Sequence, residues 1–224
     1  MEADSTIFIV DDDPAVRQSL MVLMRSMHLR AEAYESAQHF LDAFDASRPG
    51  CLLLDVRMPG ISGLGLLEQF SRDEIPLPAI VMSAYGDVPM VVRAMRAGAL
   101  NFLEKPCRDQ QLWEAIQEAL KWDAAHRQQT TLRSTILRRL QRLTPGELDV
   151  LALLGDGKSN RAIAAELNLS VRTIEVRRAK LMKKMRAESL AELIRLTLAA
   201  DPNYGKSSTP VGCPDGDGQP IPHE

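Results

Sequence analysis

The chain of 224 residues is longer than one modest domain needs and suits two. Its 45% hydrophobic and 25% charged residues are the mix of a soluble globular protein, no apolar run approaches the roughly 20 residues of a bilayer span, and the acidic start MEADSTIFIVDDD lacks the basic region of a secretory leader. The net charge of −3 is unevenly spread: residues 1–120 sum to −8, 121–200 to +8 and 201–224 to −3, so a polyanion partner is expected for the middle stretch alone. Cys51, Cys107 and Cys213 stand at unrelated spacings and read as free thiols of a reducing, cytoplasmic compartment, not as a disulfide framework or a zinc site.

TIFIV (6–10) is a short apolar, β-branched run that ends abruptly in Asp11, Asp12 and Asp13. Residues 14–27 come next with Val16, Leu20, Leu23, Met24 and Met27 at helical spacing, and Pro14 suits a first helical turn. CLLLD (51–55) again ends in a carboxylate, PAIVMS (78–83) in a hydroxyl and ALNFLEK (99–105) in a lysine. Helical patterns around 35–46, 64–71, 87–97 and 109–120 separate and follow these runs. Continuous apolar strands alternating with amphipathic helices imply a parallel sheet covered on both faces. Ligands of such sheets bind beyond the carboxyl ends of the strands. The four runs deliver Asp11 and Asp12, Asp55, Ser83 and Lys105 to that edge.

Residues 121–143 carry six Lys/Arg, one acid and no glycine or proline, with an apolar set at Leu132, Ile136, Leu137, Leu140 and Leu143. The stretch 122–142 is therefore expected to be a helical linker. Beyond it the pattern is wholly helical. Thr144 and Glu147 have capping-box spacing with Pro145 at the first helical position, and Gly155 and Gly157 break the helix that starts there. Asn160 to Leu167 makes a short helix, Asn168-Leu169-Ser170 a turn, and Ser170 a good N-cap for a helix from Val171 to about Met185. Residues 171–186 present seven Lys/Arg against the single acid Glu175. A short helix, a tight turn and a basic helix is helix-turn-helix geometry, whose second helix enters the major groove. The tail 201–224, with five prolines and four glycines, is expected to be disordered.

Carboxylates gathered at one sheet edge repel: two like charges about 4 Å apart cost about 4 kcal/mol at an effective dielectric of about 20. Hard oxygen ligands with room for water and phosphate suit Mg2+, which would neutralise the cluster and draw a carboxylate nucleophile to a phosphoryl donor. Lys105 and Ser83 would then hold phosphoryl oxygens by charge and by a hydroxyl hydrogen bond. Alone, a strand-end aspartate is usually a cap and a strand-end lysine is usually solvated. The convergence of four strand ends is what favours Mg2+-assisted phosphoryl transfer.

IVDDDPAVRQSL, LLLDVRMPGISGLGLL and VMSAYGDVPMVVRAMRAGALNFLEKP, in this order, resemble a receiver domain over residues 5–121. The resemblance implies a flavodoxin-like α/β fold of five parallel strands within a domain spanning 1–121, and phosphorylation of Asp55 by a sensor kinase histidine. It implies Mg2+ ligated directly by Asp12, Asp55 and the backbone carbonyl of Arg57, with Asp11 reaching it through water. Ser83 matches the switch hydroxyl, Phe102 the aromatic switch position and Lys105 the phosphate-binding lysine, followed by a cis Lys105–Pro106 bond. Two departures stand out: Cys107 where a larger apolar residue is usual, and Asp13, a third consecutive acid read as peripheral.

Residues 143–200 resemble the NarL/FixJ (LuxR-type) effector domain, an all-α module of four helices, and the whole chain resembles a two-component response regulator of the FixJ-like subgroup. Thr173-Ile174-Glu175-Val176 matches the start of the recognition helix. By that match Glu175, Val176 and Ala179 face the bases, Arg172, Arg177, Arg178 and Lys180 contact phosphate or guanine, and Lys183 the backbone. The last helix, 189–199, resembles the family's dimerisation helix. The expectation is a phosphorylation-dependent transcriptional regulator without enzymatic turnover beyond slow self-dephosphorylation. Its expected partners are a sensor histidine kinase, double-stranded DNA and a second copy of the chain, with no membrane. One rival is a Mg2+-dependent phosphohydrolase using Asp55 as nucleophile, but Arg57 stands where its general acid is expected. The other is a receiver scaffold that is never phosphorylated.

Overall fold

Residues 5–200 are described in the computed structural model, and the chain divides into two units between Gln129 and Thr130. In the first, strands β1 (Thr6–Val10), β2 (Arg30–Tyr34), β3 (Gly50–Asp55), β4 (Ala79–Ser83) and β5 (Asn101–Glu104) form one parallel sheet in the order β2-β1-β3-β4-β5. Helices α1 (Pro14–Ser26), α2 (Ala37–Ala43), α3 (Gly63–Arg72) and α4 (Val88–Arg96) connect the strands, and α5 (Asp109–Leu140) succeeds the last. β1, β3 and β4 are apolar throughout because both faces are covered. Phe8, Val10, Leu52, Leu54 and Val81 point into one core layer, and Ile7, Ile9, Leu53 and Ile80 into the other.

β2 has no counterpart among the apolar runs, and its place explains why. RAEAY lies at the sheet edge with only Tyr34 buried. Its Glu32 is held by the Arg48 guanidinium through bonds of 2.6 and 2.9 Å. Helix starts follow side-chain caps: Asp13 accepts the Ala15 N–H ahead of Pro14, and Ser36, Ser62 and Asp87 cap α2, α3 and α4. Asp13 thus starts α1. At Gly63 a Cβ would overlap the carbonyl oxygen of Asp55, so glycine is what lets α3 begin against the end of β3.

At the opposite end of the sheet, the buried Asp123 of α5 accepts the Gly50 N–H at 2.9 Å and the Arg127 Nε–H at 2.8 Å. The rest of the Arg127 fork donates to the carbonyls of Ala46, Ser47 and Arg48. This ion pair holds residues 122–129, the start of the stretch expected to be a linker, to the first unit.

In the second unit α6 (Pro145–Gly155), α7 (Asn160–Glu166), α8 (Val171–Met185) and α9 (Leu190–Ala200) pack around Val150, Leu151, Leu154, Ile163, Ile174, Leu181 and Leu193. The end of α5 joins this core through the fully buried Ile136, whereas Leu132 and Leu137 are exposed, so the expected apolar stripe is split. Arg133 donates to the carbonyl of Ala200 at 3.1 Å and Arg139 to that of Met185 at 2.9 Å, satisfying the last turns of α9 and α8. The tail 201–224 lies outside the described residues.

Arg127→Ala would strand the Asp123 carboxylate and three carbonyls, and should destabilise the first unit by about 3 kcal/mol or more. Trp113 and Trp122, both in that unit, report it as a lower urea midpoint. Arg127→Lys should recover only part of the loss, because an ammonium cannot supply the fork.

Candidate functional site

The strand order reverses between β1 and β3, which places the crevice of the sheet at their carboxyl ends. Asp11 leaves β1 there, almost fully buried, and Asp55 closes β3. Lys105, arriving from the edge strand β5, donates from Nζ to Asp11 Oδ2 and Asp55 Oδ1 at 2.6 Å each. Both carboxylates use their second oxygen as well: Asp11 Oδ1 accepts the Asp13 N–H at 2.9 Å and Asp55 Oδ2 the Arg57 N–H at 2.6 Å. Burial disfavours a charged lysine, but the hydrogen bonds and charges of the two aspartates outweigh it and hold Lys105 above the usual lysine value. The Lys105 N–H also donates to the Ser83 carbonyl at 2.7 Å, and the Lys105–Pro106 bond is cis.

The remaining predicted residues stand differently. Asp12 is exposed and has no hydrogen-bond or ion-pair partner among the described residues. The buried Ser83 hydroxyl donates to the Tyr85 carbonyl at 3.0 Å and accepts the Tyr85 N–H at 3.2 Å, so it serves its own loop. Phe102 is half-buried against the core, beside Gly86. Asp11, Asp55 and Lys105 side chains are therefore in contact, while the Asp12 carboxylate and the Ser83 hydroxyl are not bonded to them. The Arg57 guanidinium lies 4.3 Å from the centre of the Tyr85 ring, a pairing that no spacing rule reveals. Asp11 and Asp55 bring hard oxygen donors to one cation, the Lys105 ammonium, and Asp12 follows Asp11 in the chain; all three are carboxylates of the kind a hard divalent cation takes. Among the described residues, no three acidic, histidine or cysteine side chains meet in ligating geometry. Burial raises the pKa of both the Cys51 and the Cys107 thiol, which makes neither a reactive thiolate.

In the second unit Ser170 Oγ accepts the Thr173 N–H at 3.1 Å and starts α8, whose Ile174, Leu181 and Met185 are buried. Arg172, Glu175, Val176, Ala179, Lys180 and Lys183 are exposed. The other expected contact residues turn inward. Arg177 Nη1 donates to the Gly146 carbonyl at 3.4 Å, Arg178 Nη1 to Asn160 Oδ1 at 3.1 Å, and the Thr173 hydroxyl is 2.8 Å from that of Ser170. Lys184 likewise donates to Glu147 Oε2 at 2.6 Å, and the same oxygen accepts the Thr144 N–H at 2.8 Å. Burial works to raise the Glu147 pKa, but Lys184 and the Thr144 amide overcome it and hold the carboxyl below its ordinary value.

A five-stranded parallel α/β unit with an acidic, lysine-bridged crevice and a helical unit with a capped basic helix define a receiver joined to a DNA-binding module. Residues 7–117 match the response regulator receiver domain, and residues 141–197 match the bacterial regulatory proteins of the luxR family. The transcriptional regulatory protein FixJ of Bradyrhizobium diazoefficiens is 40% identical over 89% of this chain and 98% of its own. FixJ of Azorhizobium caulinodans is 42% identical over 92% and 97%. Among solved structures, the response regulator StyR is 40% identical with a TM-score of 0.79, covering 87% of this chain and 98% of StyR. Full-length FixJ from B. japonicum is 41% identical with a TM-score of 0.54, covering 88% and 97%. The chain belongs to the FixJ-like response regulators, in which a receiver domain is joined to a LuxR-type DNA-binding domain.

The depressed Glu147 pKa gives a pH signature. Its stabilising effect is complete above the ordinary carboxylate value near 4.5 and is lost as pH falls through the lower folded-state value. Glu147→Gln should therefore cost the second unit on the order of 1–3 kcal/mol at neutral pH. In thermal melts followed by helical circular dichroism, the gap from wild type should close as pH falls below that value. A gap of constant size down to the acid limit would show that the Lys184 pair is not its source.

Proposed function

We propose that Asp55 is the phosphoryl acceptor for a sensor kinase histidine in the cytoplasm, and that its phosphorylation controls how the exposed strip of α8 engages double-stranded DNA. The observation that carries this reading is the Lys105 ammonium shared by Asp11 and Asp55 at 2.6 Å each. It fixes the partly buried Asp55 carboxylate at the strand edge, with a cation ready for the incoming oxygens. An Asp55 oxygen attacks phosphorus, the bond from phosphorus to the histidine nitrogen breaks, and an acyl phosphate forms. Asp12, Asp55 and the Arg57 carbonyl would hold Mg2+, with Asp11 reaching it through water, and the ion would supply neutralising charge to the phosphoryl oxygens. Lys105 moves from Asp55 to a phosphoryl oxygen while keeping Asp11. Ser83 exchanges the Tyr85 carbonyl for another, and Phe102 shifts with the loop it packs beside.

Arg57, standing where a phosphohydrolase would place its general acid, favours storage of the phosphoryl group over turnover. The altered face around α4 and β5 would bring two copies together, and two linked DNA-binding modules would gain affinity by an effective-concentration factor of about 10² or more.

With acetyl phosphate and Mg2+, the wild-type chain should gain about 80 Da and Asp55→Asn should not. A gain that survives Asp55→Asn, or none in wild type, would remove Asp55 from this role. Phosphorylation should also raise affinity for operator DNA and the sedimentation coefficient together, whereas Ser83→Ala should accept the phosphoryl group and lose most of both responses.

A further inference from the structure

Among the exposed side chains of α8, Glu175 is the one that a phosphate-facing surface should exclude. It has no hydrogen bond or ion pair among the described residues, although Arg172 and Lys180 stand on the same helix. The helix thus carries an uncompensated carboxylate in the middle of a strip that is otherwise basic or neutral. Val176 beside it is 48% exposed and presents its branched methyls on the same strip. Ala179, one turn further on, has too short a side chain to obstruct either.

We infer that Glu175 reads a cytosine in the major groove and that Val176 packs on a neighbouring thymine methyl. The inference rests on the DNA-binding reading of α8 and assigns the bases it selects. An ionised carboxylate only accepts hydrogen bonds. The amino groups offered in the major groove are those of cytosine and adenine. Adenine presents its amino group beside the N7 acceptor, whose lone pair would face the carboxylate, whereas guanine and thymine present only acceptors or a methyl group. Cytosine is therefore the base that repays bringing a negative charge between two phosphate chains. The exposed branched methyls of Val176 match the thymine C5-methyl in the same way. Arg172, Lys180 and Lys183 then serve as phosphate contacts that set the register.

Selection from random duplex DNA by the full-length protein, treated with acetyl phosphate and Mg2+, tests this directly. The wild type should enrich one cytosine per half-site by about tenfold or more over the other bases. Glu175→Gln should move that preference toward adenine, whose amino group and N7 an amide can bond together. Glu175→Ala should make the position indifferent while the rest of the motif persists. Both variants alter an exposed, unpartnered side chain and leave the core of α8 untouched. A wild-type motif lacking such a cytosine, or one unchanged in both variants, would overturn the assignment and leave DNA binding intact. Failure of the wild type to select any sequence would overturn the DNA-binding reading and the base assignment together.

Discussion

Two carboxylates brought together from neighbouring strands repel unless a positive charge stands between them, and Lys105 supplies it from the far edge of the sheet. Much of the first unit is shaped by this requirement. β1 and β3 must be adjacent to bring Asp11 and Asp55 together, and β5 must end level with them for the lysine to reach across β4. The backbone of Lys105 is tied to the Ser83 carbonyl, so the positions of the cation and of the serine are linked through the main chain. Gly63 lets α3 close against the end of β3 from the other side.

The sequence made the centre of this arrangement legible and its margins less so. β1, β3 and β4 announce themselves as apolar runs ending in functional groups, because strands covered on both faces have no reason to alternate. β2 does not, since an edge strand carrying Arg30 and Glu32 meets solvent on one side. The conjunction of Asp11, Asp55 and Lys105 is dictated by topology alone. The direction of the Ser83 hydroxyl is not, because it depends on how the loop at Tyr85 turns back. In α8, counting basic residues overstates the free cations. Arg177 and Arg178 are held by Gly146 and Asn160, which belong to other helices and are remote in sequence.

That inward turn changes the character of the exposed face of α8 proposed to meet DNA. A stretch with seven basic residues in sixteen, 171–186, would attract any duplex. Withdrawing Arg177, Arg178 and Lys184 into the packing of their own unit leaves a strip with a carboxylate and a valine among fewer free charges. On the proposed reading of α8, the contacts that stabilise the module leave fewer free donors for the phosphate backbone and raise the relative weight of base chemistry.

Receiver and effector modules are also units that recombination can trade, and the ties along α5 restrict where a splice can fall. A junction ahead of Asp123 would leave the Gly50 amide and the carbonyls of Ala46, Ser47 and Arg48 without the partners that answer them. A junction beyond Arg133 would deprive the last turn of α9 of its donor, and one beyond Ile136 would open the effector core. Viable chimaeras should therefore join within residues 128–132, a window where the helix is exposed and owes little to either core. Selection for exchangeable parts would show itself there as tolerance of sequence change, flanked by two arginines that tolerate very little.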